Sequence, residues 1–115
     1  MNNQRRKALL KSLDLLDELR NLADKEKALE IVNKVIDKVQ QCADEEEEAL
    51  DNRPQSLMWS ATNDDMAENI NDLNDSADNL RATEEEIQEM KRFDYELVKT
   101  AVVEAVNTIK QTIHR

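Results

Sequence analysis

The chain has 115 residues and a net charge of −10, with no glycine, one proline, one cysteine and three aromatic residues. That length fits a single domain. Without glycine there is no phosphate-cradling loop and no dinucleotide fingerprint, and one cysteine forms neither an internal disulfide nor a thiolate zinc site. The longest apolar runs fall far short of a membrane span and no signal-peptide pattern opens the sequence, so a cytoplasmic protein is expected. A mean hydropathy of −0.80 would suit a disordered chain. The pattern argues against disorder, because apolar residues recur at helical spacing among strong helix formers.

The first predicted helix covers about 4–51. Leu9, Leu13, Leu16 and Leu19 form one stripe, and Leu29, Val32, Ile36, Val39 and Ala43 form a second, with Cys42 on the same apolar side. Between them lies Ala23–Ala28, with no large apolar residue. Asp24 is a candidate N-cap for a separate helix. Nothing in that stretch breaks a helix, so one continuous rod is the favoured reading. A turn is expected over 52–61, where Pro54 ends the helix and Asn52 serves as a left-handed cap in place of glycine. Within it, Leu57, Met58 and Trp59 are read as an apolar plug for the end of the bundle, with Met58 and Trp59 alternatively an exposed partner anchor.

The second helix is expected over about 62–81, with Thr62 as cap and Asp65 as the capping-box acid. Met66, Ile70, Leu73, Ala77 and Leu80 give it a heptad-type seam. Thr83 with Glu86 is a second capping-box signature, which places a third helix over about 84–113. A kinked continuation through Arg81–Ala82 fits nearly as well. The predicted fold is therefore all-α, a long antiparallel helical hairpin or three-helix bundle with coiled-coil-like packing. Narrow seams on long helices also point to completion of the core by homodimerisation.

The charge is unevenly placed. Residues 1–43 carry 9 bases and 7 acids, residues 44–96 carry 4 bases and 18 acids, and residues 97–115 carry 3 bases and 1 acid. The acidity therefore belongs to the middle of the chain. Asp44, Glu45, Glu46, Glu47 and Glu48 close the first helix at its electronegative end, where acids are disfavoured. Asp51 follows, and Asp65, Glu68, Asp72 and Asp75 form a stripe along the second helix. Adjacent carboxylates on such a stripe lie about 5–6 Å apart, comparable with the phosphate spacing of a nucleic-acid strand. The blander reading is a solvated face. The slightly basic ends can also fold back on the acidic middle. A chain of this charge has no basic stripe, so direct nucleic-acid binding is not expected.

Little catalytic chemistry can be assembled. His114 is the one histidine and offers no triad or metal pair. Asp72–Asp78 has calcium-loop flavour but lacks the glycine and the closing bidentate glutamate. An enzyme is not expected, and neither is a metal or other cofactor.

Asp44–Leu57, DEEEEALDNRPQSL, resembles a motif of small bacteriophage and prophage helical proteins, an acidic helix end running into an Asp-Asn-x-Pro-x-Ser-Leu turn. Met66, Ile70, Leu73 and Leu80 keep the register of the helix that follows, so the likeness spans about residues 44–80. Thr62 and Asn63 depart from it, since members often carry arginine and glycine there. The resemblance implies phage origin and a helical hairpin, and it transfers no activity. The expected function is that of a phage accessory protein in the bacterial cytoplasm. It would bind a basic host protein, such as a nucleic-acid or defence enzyme, and inhibit it by mimicking DNA charge. Asp44–Glu48, Asp51, Asp65, Glu68, Asp72 and Asp75 would make the charged contacts, with Met58 and Trp59 as apolar anchor. The alternative is an assembly or dimerisation module acting through Ile70, Leu73 and Leu80.

Overall fold

Buried side chains recur at alternating steps of three and four residues along four stretches of the chain. Each stretch is helical in the computed structural model, which describes every residue except Met58 and Trp59. The helices are α1 (Asn3–Glu18), α2 (Lys25–Asp51), α3 (Ala61–Glu89) and α4 (Tyr95–His114). The α2 seam is Ala28, Val32, Val35, Val39, Cys42 and Glu46, and the α3 seam is Met66, Asn69, Leu73, Ser76, Leu80, Thr83 and Ile87. Leu9, Ser12, Leu16 and Leu19 serve α1 and its 3₁₀ extension, while Val98, Val102, Ala105, Ile109 and Thr112 serve α4. This is the 3.5-residue repeat that lets neighbouring helices interlock at shallow crossing angles.

Each helix packs on the next, and α4 returns against α1. Contacts between Arg5 and Glu46, Gln40 and Asn74, Asn79 and Ala101, and Arg6 and Ile113 show that every neighbouring pair runs antiparallel. The result is an up-down-up-down four-helix bundle of 54 × 21 × 19 Å. The α1–α4 junction is the thinnest of its four seams. No helix among the described residues is long and apolar enough to cross a membrane.

The all-α architecture is the expected one, but the helix boundaries differ from the sequence reading in three places. The rod expected over 4–51 is broken. After α1 the chain makes a 3₁₀ turn at Leu19–Asn21 and an extended step at Leu22, and Asp24 caps α2 by accepting hydrogen bonds from the Glu26 and Lys27 amides at 2.9 and 3.3 Å. Folding α1 back fully buries Leu9 and Leu19 and all but buries Leu16, at about 1.5–3 kcal/mol each. That gain offsets the helical hydrogen bonds lost at the reversal.

The second difference lies at the start of α3. Ser60, not Thr62, is the N-cap, its Oγ accepting from the Asn63 amide at 3.2 Å. Asn52 likewise remains right-handed, at φ −87° and ψ −1°. No described residue has positive φ, so the described parts of the turns do without left-handed caps.

The third difference is at Thr83, which does not start a helix. Its side chain is buried and its hydroxyl donates to the Asn79 carbonyl at 3.1 Å, within an unbroken α3. Ile87 stands seven residues beyond Leu80, so continuing the helix keeps it on the core face. The real reversal spans 90–94, where Phe93 is buried and Asp94 caps α4 by accepting from the Glu96 amide at 3.1 Å.

Candidate functional site

The acidic middle of the chain divides into two parts, one turned inward and one left in solvent. The inward part begins at Glu46, four residues after Cys42 on the α2 seam, with no solvent exposure. Its Oε1 accepts from Arg5 Nη2 at 3.0 Å and its Oε2 accepts from Asn69 Nδ2 at 2.8 Å. The Met1 amino group lies 3.7 Å from Oε2. A buried carboxylate is tolerable only when charge-assisted hydrogen bonds replace its lost water, and here two hydrogen bonds and the Met1 ion pair do so.

The network extends across the bundle. Asn69 Oδ1 accepts from Arg115 Nη1 at 3.0 Å, and Arg115 also donates Nη2 to Asp72 Oδ2 at 2.8 Å. Its Nε lies 3.3 Å from Glu68 Oε2. Beside it, Arg6 donates Nε to the Ile113 carbonyl at 3.2 Å. Arg5, Glu46, Asn69 and Arg115 therefore form a charged layer with one member from each helix or its cap, at one end of the core. The expected folding-back of the basic ends takes this form. Ion pairs and hydrogen bonds of defined direction thus link all four helices at this level of the bundle.

This geometry sorts the expected partner-binding residues by accessibility and removes Glu46 from them. Glu46 is a core residue and cannot touch a partner. Glu68 and Asp72 are paired with Arg115, Asp72 only about a quarter exposed and Glu68 still 65% exposed. Glu45 is half-buried, and its Oε2 is buried without a hydrogen-bond partner among the described residues. Asp44, Glu47, Glu48, Asp51, Asp65 and Asp75 are exposed, and none makes an ion pair among the described residues. All but Asp75, which stands at the middle of α3, lie towards the end of α2 or the start of α3, where the C-terminal dipole of α2 adds to the negative field. Leu57, expected in the apolar plug, is instead 41% exposed, and Met58 and Trp59, the expected anchor, lie outside the described residues.

Asp72–Asp78 is part of α3 rather than a loop, so its carboxylates radiate from a helix instead of converging on an ion. Cys42 is buried beside the charged layer, its Sγ 3.9 Å from the Arg5 carbonyl. Burial, and then the nearby Glu45 carboxylate, push its thiol up from 9.0 to about 11, so the reactive thiolate is suppressed.

Arg5, Asn69 and Arg115 are the residues that composition and charge arithmetic did not single out. A signal for two of them was present. Arg5 stands four residues before Leu9 and Asn69 three after Met66, each on the seam of its helix. Polar side chains at seam positions are where a buried network should be sought. No family of known proteins, no curated protein and no solved structure matches the chain.

Proposed function

We propose that this protein is a non-enzymatic, phage-related accessory factor of the bacterial cytoplasm that binds a basic host protein through its exposed acidic flank. One observation carries the reading. Asp44, Glu47, Glu48, Asp51, Asp65 and Asp75 stay in solvent without an internal cation, although Arg5 and Arg115 neutralise other acids close by in the same part of the bundle. These carboxylates, four on α2 and two on α3, present a concentrated negative field to a basic nucleic-acid channel. Such a surface would steer association and weaken as salt rises.

The test is capture from a host lysate with the wild-type protein and with Asp44→Lys/Glu48→Lys/Asp65→Lys/Asp75→Lys. A basic nucleic-acid-binding enzyme retained by wild type, displaced by added DNA and lost with the variant supports the proposal. Equal capture by both proteins rules it out.

The second reading, assembly by helix packing, takes support from a different surface. Leu73 and Leu80 are fully buried within the bundle and Ile70 is half-buried, so the seam first assigned to assembly is occupied internally. Along the thin α1–α4 junction, however, Leu10 is 48% and Val103 37% exposed beside a groove of about 590 Å³. A homodimer built on that face would ignore salt and dissociate in Leu10→Glu/Val103→Glu. Light scattering across concentration and salt separates the two readings.

A further inference from the structure

A second groove, also of about 590 Å³, lies between α1 and α2 and has the opposite electrostatic character to the acidic flank. Its floor includes Ala8, Leu15 and the buried Ser12, whose hydroxyl is already committed to the Ala8 carbonyl at 3.1 Å. The floor side chains therefore offer no free donor. Lys7 and Lys11 stand on the α1 wall and Lys34 and Lys38 on the α2 wall, with Asp37 the one acid in the lining. Each pair is spaced i,i+4, so each forms a row along its helix.

The lysines are only weakly engaged within the chain. Lys7 and Lys11 make no ion pair among the described residues, Lys34 reaches Glu30 at 3.3 Å in an exposed pair, and Lys38 donates to Gln41 at 3.3 Å. An exposed pair of this kind is worth about 0–1 kcal/mol. The result is two rows of cations flanking an apolar floor, on a chain whose net charge is −10.

That pattern selects the shape of an occupant. A single small anion needs cations that converge on a point, whereas these are spread along two walls. An acyl chain needs an enclosed apolar tunnel, and this groove is open to solvent. A helix lying between α1 and α2, apolar beneath and acidic on both flanks, meets the floor and both walls together. We propose that the α1–α2 groove binds an acidic amphipathic helix of a partner protein. The site adjoins the acidic flank, meeting it at Asp37 and Gln41, but its lysine rows take a partner of opposite charge.

The probe is a fluorescein-labelled synthetic helix with Leu at heptad positions a and d and Glu at e and g. It is titrated into the full-length protein and followed by fluorescence anisotropy. Binding should weaken with salt and fall by at least about tenfold in Lys7→Glu/Lys11→Glu/Lys34→Glu/Lys38→Glu. These four residues lie on the outside of the bundle, and circular dichroism verifies that the variant is folded. Amide shifts on adding the peptide should map to residues 7–15 and 34–41, and the acidic-flank variant should bind it as well as wild type. The proposal fails if the peptide does not bind, if shifts map elsewhere, or if the same peptide with Lys at e and g binds equally. It also fails if anionic phosphatidylglycerol vesicles outcompete the peptide for this groove, which would make it a membrane-facing surface.

Discussion

Arg5 and Glu46, 41 positions apart in sequence, meet with Nη2 and Oε1 at 3.0 Å, and the carboxylate has no solvent exposure. The pair joins the start of α1 to the end of α2 inside the core. Removing one partner strands a buried charge, whereas replacing both can be nearly neutral. Arg5→Ala should therefore cost about 3–5 kcal/mol in urea unfolding, while Arg5→Met/Glu46→Leu should cost far less than the two single changes together. A double-mutant cycle measures the difference, and additive losses would contradict the network.

Asp24 ends the ambiguity over the first helix by capping α2. Asp24→Ala should destabilise the bundle by about 1 kcal/mol, seen as a drop of about 4 °C in Tm. If the chain were one rod through this point, a capping aspartate would be absent and the change would raise helix stability instead.

Glu84 discriminates between the two boundaries drawn for α3. A helix starting at 84 would accept proline at its first position, where the amide has no internal partner. In the interior of α3 the same proline removes a hydrogen bond and clashes with the preceding turn. Glu84→Pro should cost about 3 kcal/mol or more, read by chemical denaturation.

Cys42 gives the stability a specific alkaline limb. Its native thiol ionises near 11 against 9.0 for an unperturbed cysteine. The proton is therefore held more tightly in the folded state. The resulting stability is full below pH 9 and disappears as the pH rises towards 11. Unfolding curves across that window should show a loss missing from Cys42→Ala, with an upper size of about 2–3 kcal/mol.

The helical class was legible because 3–4 periodicity survives even in a chain this polar. The break at Leu22–Asp24 was visible only as an alternative, since the local residues tolerate a helix and long-range burial of Leu9, Leu16 and Leu19 decides against it. Thr83 misled because its capping-box neighbourhood is a local signal, while Ile87 belongs to the same seam as Leu80 and its contacts lie across the bundle. Within the acidic middle, counting charges could not tell Glu46 from Glu47. Their different fates follow from a 100° turn of one helix.

Composition and spacing by themselves determined that the chain is all-α, that its reversals avoid glycine, and that its negative charge lies between residues 44 and 96. Those properties are local, carried by propensity, periodicity and the order of charges. Only the tertiary structure decided that there are four helices, that Glu46 is a core residue and that Arg115 pairs with Glu68 and Asp72. It also decided which acids remain exposed. These outcomes depend on contacts between residues tens of positions apart, where burial and charge pairing outweigh local preference.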